Sequence, residues 1–172
     1  MSTMRLINGI YIDDSAIITG DVSIGPDTNI WPFVSARGDV APIRVGAGCS
    51  VQDHVMLHCK YDVALAIGDH VLIGHHAVVH CTSVGDWTLI GIGARVLDDA
   101  VVGAHCIVAA GAVVRPGMVV PDGTLVAGVP AKVMREVTDA DRAYIKNVVT
   151  RYVDLAKAHI AGQFPRKFVR NP

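Results

Sequence analysis

Residues 94–120, ARVLDDAVVGAHCIVAAGAVVRPGMVV, decide the fold, because a valine recurs there at every sixth position. The recurring valines are Val96, Val102, Val108, Val114 and Val120. A small residue stands two positions before most of them, as at Ala94, Ala100, Cys106 and Ala112. A period of six matches neither the turn of an α-helix nor the alternation of an ordinary strand. It fits a chain that turns a corner every six residues, three corners to a coil, with the aliphatic side chain always pointing inward.

The same six-residue period extends from this stretch toward both ends of the chain, with a few irregular steps. The other positions in phase are Ile18, Ile24, Ile30, Ala36, Val45, Val51, Leu57, Ile67, Ile73, Val79, Val84, Ile90 and Val126. One coil has no second layer against which to bury its apolar face, so stacked coils supply the core and pair as parallel strands about 4.8 Å apart. The sequence therefore predicts an all-β solenoid, a parallel β-helix of hexapeptide repeats, over residues 1–133.

A different pattern follows in residues 134–172. Thr138, with Asp141 three residues later, is typical of a capping box at the start of a helix. Apolar residues then recur at helical spacing, at Ile145, Val148, Val149, Tyr152, Leu155 and Ala156. We predict a C-terminal α-helix that lies along the solenoid or on a neighbouring subunit, followed by a short, mildly basic tail.

Composition narrows the function classes. The net charge of the 172 residues is −1, which provides no basic surface for nucleic acid. The aliphatic runs are interrupted by Asp, His and Gly before they reach transmembrane length, and the N-terminus lacks a signal-peptide core. The four cysteines do not resemble a disulfide framework. We expect a cytoplasmic protein with neither a nucleic-acid nor a membrane partner.

The phase of each histidine in the repeat predicts where its side chain points. We label the faces of the solenoid A, B and C in chain order, starting with Ile18 on face A. The residue after each inward aliphatic points outward, so Arg37, His58 and His80 share one outward column in three successive coils. Two imidazoles one coil apart can reach one ion, since Zn–N bonds are about 2.0–2.1 Å long. We predict that His58 and His80 form a metal-binding pair.

His75 falls in a different column. It comes two places after Ile73, at the edge of face C, in a column with Asp53. Within one chain we expect it to point away from His58 and His80. A threefold assembly would set face A of one subunit against this edge of a neighbour, so that His75 supplies the third ligand across the interface.

Simpler interpretations compete with this one. Outward histidines on a solenoid are commonly surface residues, and we give that interpretation to His54, His70, His105 and His159. His76 could orient a metal ligand or relay a proton. Cys59 and Cys81 each follow a predicted ligand, and we interpret them as packing residues.

Two segments carry a family resemblance: NIWPFVSARGDVAPIRVGAGCSVQDHVMLHC at 29–59 and IGHHAVVHC at 73–81. From about Gly20 to Lys132 the chain resembles the γ-class carbonic anhydrases and their close relatives. The resemblance implies a left-handed β-helix and a homotrimer with a metal ion at each interface. Each ion would be held by a histidine pair of one subunit, here His58 and His80, and by His75 of the next.

The resemblance also implies an activity, the reversible hydration of carbon dioxide to bicarbonate by a metal-bound hydroxide. Gln52 would orient that hydroxide, and Arg37 and Asp39 would link the subunits beside it. Asp53 and His76 would lie at the subunit interface or hold a metal ligand in place. Zinc is the expected metal, although imidazole ligands also suit ferrous iron and cobalt.

One departure from the family pattern affects the predicted rate. The glutamate that follows the aspartate of the RGD motif in the best-studied members is replaced here by Val40. Fast hydration needs a group that carries the proton to solvent. His54, His76, Tyr61 and Asp62 are possible substitutes. The resemblance therefore implies a zinc-dependent lyase, and the departure at Val40 implies that its activity is low.

Two other functions fit the same repeat. One is a hexapeptide acyltransferase, or a CoA-thioester hydrolase, with a single histidine as base. The ending GVPAK at 128–132 is shared with such transferases, but it marks the end of the solenoid. The other is a catalytically weak trimeric scaffold that keeps a metal for stability.

Overall fold

The computed structural model describes residues 3–165, which form a β-solenoid of about six turns with one C-terminal helix. The helix, α1, is Asp139–Ile160. The strands, in chain order, are β1 (Met4–Ile7), β2 (Ile10–Asp13), β3 (Ile17–Ile24), β4 (Asn29–Ile30), β5 (Ser35–Val45), β6 (Ser50–Val51), β7 (Met56–Leu57), β8 (Leu65–Ile67), β9 (Leu72–Ile73), β10 (Val78–Val79), β11 (Ser83–Val84), β12 (Leu89–Ile90), β13 (Arg95–Val96), β14 (Val101–Val102), β15 (Ile107–Val108), β16 (Val113–Val114), β17 (Val119–Val120), β18 (Thr124–Ala127) and β19 (Lys132–Glu136).

The register of the parallel strands confirms the six-residue phase. Face A stacks Ile18, Ala36, Leu57, Val79, Val96 and Val114. Face B stacks Ile24, Val45, Ile67, Val84, Val102 and Val120. Face C stacks Ile30, Val51, Ile73, Ile90, Val108 and Val126. All these side chains are buried except Ile18 and Ile24, which are half-buried because no coil precedes them on faces A and B.

Four of the histidines lie at corners of the coils, where the backbone is left-handed. His54, His70, His76 and His105 have φ values of 61°, 55°, 59° and 56°. Histidine is among the non-glycine residues enriched in this left-handed region, which other side chains rarely adopt. At these four positions the left-handed backbone alone accounts for the presence of histidine.

Helix α1 begins as the sequence predicts. The hydroxyl of Thr138 accepts a hydrogen bond from the Asp141 backbone N–H (3.2 Å), and the Asp141 carboxylate accepts one from the Thr138 backbone N–H (2.8 Å), so the capping box is confirmed. Arg135 and this capping together hold the pKa of Asp141 well below its usual range. The helix buries Ile145, Val149 and Ala156 against face C of its own solenoid.

Both ends of the solenoid depart from the parallel pattern. β1 pairs antiparallel with β2, and β18 pairs antiparallel with β19. A terminal coil presents a row of unpaired backbone groups, and a hairpin covers that edge. β19 runs across the boundary predicted at residues 133 and 134, and the end of the predicted tail lies outside the described residues. Among residues 3–165, no helix has the length and apolar character needed to span a membrane.

Candidate metal centre

The predicted histidine pair is formed within one chain. Leu57 and Val79 are partners in the register of β7 and β10, so His58 and His80, which follow them, lie one coil apart. Nδ1 of His58 is 3.1 Å from Nε2 of His80. Two nitrogens bound to one tetrahedral zinc ion at 2.0–2.1 Å lie about 3.3 Å apart. The pair therefore has nearly the spacing of two ligands of one ion.

Carboxylates fix the tautomers of both rings. Nε2–H of His58 donates to Asp39 Oδ1 at 2.9 Å, and Nδ1–H of His80 donates to Asp98 Oδ1 at 3.2 Å. The two nitrogens that face each other are then both lone-pair acceptors in the neutral rings. A cation between them, either a proton or a metal ion, removes the repulsion of those lone pairs. The donor set thus fits a metal ion.

His75 shows the same arrangement at a separate place. Its Nδ1–H donates to Asp53 Oδ2 at 3.0 Å, which leaves Nε2 as the free ligand atom. Metal-binding histidines usually donate their second N–H to a carboxylate or a carbonyl, which orients the ring. Among residues 3–165, His58, His75 and His80 are the histidines paired with a carboxylate.

The third ligand is not brought to the pair within one subunit. Among the described residues, no group of three His, Cys, Asp or Glu side chains could hold a metal ion. Val51 and Ile73 are register partners on face C, so Gln52 and Asp53 stack on Gly74 and His75. Gln52, which is almost fully buried, accepts a hydrogen bond from the backbone N–H of His75 at 3.2 Å.

Arg37 and Asp39 extend the histidine column. Arg37 Nη1 lies 2.5 Å from Asp39 Oδ2, while the other carboxylate oxygen of Asp39 accepts from His58. The hydrogen bond from His58, helped by the charge of Arg37, holds the pKa of Asp39 below its usual range. Asp39 therefore stays an acceptor for His58 and connects that ring to the guanidinium.

The remaining residues of the predicted site lie elsewhere. The ring of His76 stacks on that of His54 at a corner, with centroids 4.7 Å apart, and His54 stacks in turn on Phe33. Burial raises the pKa of the Cys81 thiol to about 12 and raises that of Cys59 as well. Both side chains are buried in the core, and the Cys59 thiol donates to the carbonyl of Ala41 at 3.2 Å, as the interpretation as packing residues expects.

The position of Val40 is beside an exposed loop. Val40 is half-buried against the core, and its carbonyl accepts a hydrogen bond from the Asp62 backbone N–H at 3.3 Å. Tyr61, the next residue toward the N-terminus, is 73% exposed. Two of the predicted substitutes for the missing glutamate therefore lie close to the place that the glutamate would occupy.

Two residues next to the site were not predicted from the sequence. Asp98 comes two places after Val96, one coil beyond His80, so the phase of the repeat contains a signal for it. Tyr152 of α1 lies beside Gln52, and burial, followed by the charge of Asp53, raises the pKa of its phenol. The placement of α1 over face C brings Tyr152 there, and no repeat position encodes that placement.

Known proteins resemble the chain over most of its length. It is 43% identical to a carbonic anhydrase of Geobacillus kaustophilus, with 95% of this chain and 90% of the relative aligned. It is 39% identical over 87% of its length to the mitochondrial gamma carbonic anhydrase 2 of Arabidopsis thaliana, of which it spans 56%. No family model matches the chain.

Solved structures share the fold. A Bacillus cereus protein described as a candidate acetyltransferase is 36% identical, with a TM-score of 0.86 and 89% of each chain covered. A hexapeptide transferase family protein of Anaplasma phagocytophilum is 34% identical, with a TM-score of 0.77 over 88% of this chain and 94% of its own. The predicted left-handed parallel β-helix of hexapeptide repeats with a C-terminal helix is confirmed. The repeat, the paired histidines of face A and these relatives together assign the chain to the γ-class carbonic anhydrase family.

Proposed function

We propose that the chain assembles as a homotrimer that binds a metal ion at each interface and catalyses the reversible hydration of carbon dioxide. His58 and His80 of one subunit and His75 of the next would hold the ion. The observation that supports this most strongly is that each of these three rings donates one N–H to a carboxylate, which leaves the other nitrogen free. The γ-class relatives support the substrate.

Zinc is the metal we propose, with ferrous iron and cobalt as alternatives, because three imidazoles suit all of them. A zinc ion held by the three histidines would supply a Lewis acid that lowers the pKa of a bound water to about 7. Gln52 offers an amide that can orient the reacting oxygen. Arg37 and Asp39 keep His58 in its ligating tautomer and form the adjoining wall.

The proposal also covers the rate of carbon dioxide hydration and the location of the protein in the cell. Val40 cannot carry a proton, so proton transfer to solvent would fall to Tyr61 or Asp62 beside it, or to His54 or His76 at the corner. We propose a slow hydratase for that reason. We also propose a cytoplasmic location, although the named plant relative is mitochondrial.

Metal content and carbon dioxide hydration test the proposal together. We expect about one metal ion per subunit in the purified trimer and hydration that is lost on chelation and restored by added zinc. Metal is measured by elemental analysis, hydration by the pH change after carbon dioxide is mixed with the protein, and mass by light scattering. Protein that stays monomeric, or that never retains a stoichiometric ion, would rule out the proposal.

The same family of structures supplies the second candidate function. One of the solved structures, a perosamine N-acetyltransferase of Caulobacter crescentus that is 25% identical with a TM-score of 0.63, is in complex with CoA. Tight acetyl-CoA binding with normal turnover after His75→Ala would favour transfer or thioester hydrolysis. A trimer that dissociates on chelation but has no activity would favour the scaffold.

Asp98 provides a test of the proposed ligand geometry. We expect Asp98→Asn to weaken metal affinity by about 10- to 100-fold, the usual effect of losing the carboxylate behind a histidine ligand. The matched control is Asp99→Asn, because Asp99 is the next residue and pairs with Lys60 on the surface at 2.7 Å. Affinity is measured by competition with a chromogenic chelator. Equal losses in the two variants would mean that Asp98 does not position His80.

A further inference from the structure

A cavity of about 590 Å³ lies between α1 and face C, beside the predicted site. Its size is typical of pockets that enclose small organic molecules, which are about 300–1,000 Å³. The outward positions of three successive coils of face C, Gly74, Gly91 and Ala109, have little or no side chain. Val148 and Leu155 of α1 line the same cavity. The small residues therefore leave a trough beneath the helix.

The two ends of this cavity differ in chemistry. Gln52, His75, Arg151 and Tyr152 line it at the level of the predicted metal centre. The carboxylate of Asp53, the residue after Gln52, already accepts a hydrogen bond from His75. Among residues 3–165, Arg151 forms no ion pair. One end of the cavity thus presents an amide, a phenol and an unpaired cation.

Apolar side chains, together with the ring of Tyr144, line the rest of the cavity. Leu89 and Ile107, outward residues of β12 and β15, are register partners in successive coils, and both line the cavity. From the coil of Gln52 to that of Ala109 there are three coil spacings, which makes the trough roughly 14 Å long at about 4.8 Å per spacing. Carbon dioxide and bicarbonate contain three and four heavy atoms, so they fill only the polar end.

We propose that this cavity binds an unbranched aliphatic monocarboxylate, with the carboxylate beside Gln52 and Arg151 and the chain along the trough over Gly91 and Ala109. The position of the carboxylate, where bicarbonate would also bind, rests on the proposed function. The site for the chain rests only on the cavity and its lining. The ligand class follows from one unpaired cation and one amide at the mouth of a trough that is lined mainly by apolar side chains and small residues.

Titration calorimetry with a series of straight-chain acids tests this proposal. Acetate, butyrate, hexanoate and octanoate are titrated into the full chain, both metal-loaded and after chelation. We expect affinity to rise by about fourfold for each added methylene, because each buried methylene contributes a constant increment. Arg151→Gln should weaken all four acids by a similar factor and leave the increment per methylene unchanged.

Two variants fill the trough, and one matched variant does not. Ala109→Leu and Ala110→Leu add apolar volume inside the cavity, and Ala110 is exposed, so it tolerates a larger side chain. Ala66→Leu makes the same change at an exposed position on face B. We expect the two trough variants to abolish the dependence on chain length and the control to retain it.

The outcomes separate this inference from the proposed function. Affinity that does not change with chain length, as a trough filled by a second copy of the chain would give, overturns the inference. Chain-length dependence that persists in both trough variants overturns it as well. Dependence that is present in the chelated protein, while no metal ever binds, supports the inference and rejects the hydratase proposal.

Discussion

Co-expression of the inactive variants His75→Ala and His80→Ala is expected to restore metal binding at about one interface in three of every mixed trimer. Each variant alone lacks one ligand at all of its interfaces, so each homotrimer should bind no metal and show no hydration. In a mixed trimer, whichever variant is in excess, one interface combines an intact His58–His80 pair with an intact His75. The complementation follows from a site shared by two subunits and from no arrangement within one chain.

The matched control combines His58→Ala with His80→Ala. Both substitutions break the pair that lies on one face of one subunit, where Nδ1 of His58 and Nε2 of His80 are 3.1 Å apart. No mixture of these variants contains an intact pair, so we expect no recovery. The two chains carry different tags, and tandem purification isolates mixed trimers for metal analysis and a hydration assay. Recovery in the control, or none in the test mixture, would contradict a ligand set divided in this way.

The phase of the repeat was sufficient to predict the body of the fold. The inward positions are spaced so that each coil places the same residue class on the same face, and the register follows by counting. Count and register agree even across the long steps between Ala36 and Val45 and between Leu57 and Ile67. The steps loop out between inward positions, so they do not shift the phase. The capping box of α1 was equally local, since Thr138 and Asp141 bond to each other.

Features that depend on how elements meet were not available from the sequence. The terminal hairpins cover the exposed edges of the first and last coils. Their sequences do not indicate which edge each hairpin pairs with. The helix could have packed on a neighbour, because its apolar stripe fits any complementary face. Its contact with face C of the same chain is what brings Tyr152 to Gln52 and forms the cavity.

The same distinction applies to the histidines: some of their contacts follow from the repeat, and others depend on how subunits assemble. The column of His58 and His80 follows from the repeat, and so does the stacking of His75 on Asp53. Corner histidines such as His70 and His105 could be distinguished by the left-handed backbone that their positions require. Whether His75 meets the pair depends on a symmetry operation that is absent from one chain, and the mixed-trimer experiment addresses that question.

The packing of the solenoid core predicts a large loss of stability when one inward side chain is truncated. Ile90→Ala is expected to lower the free energy of unfolding by about 2–5 kcal/mol, because truncating a buried isoleucine removes its transfer energy and leaves a cavity. Ile90 is 0% exposed and is the register partner of Ile73 in the preceding coil and of Val108 in the following one. Each coil contacts only its neighbours, so the cavity weakens two interfaces between coils at once.

Ile92→Ala is the matched control, because it makes the same truncation two residues further along the same coil. Ile92 is 57% exposed, and a surface substitution usually changes the free energy of unfolding by less than about 0.5 kcal/mol. Urea denaturation followed by far-ultraviolet circular dichroism measures both variants beside the wild type. The inward assignment of every sixth residue predicts a difference of several-fold between the two losses. Similar losses would mean that position 90 does not line the core, and the phase from which the histidine columns were derived would be wrong with it.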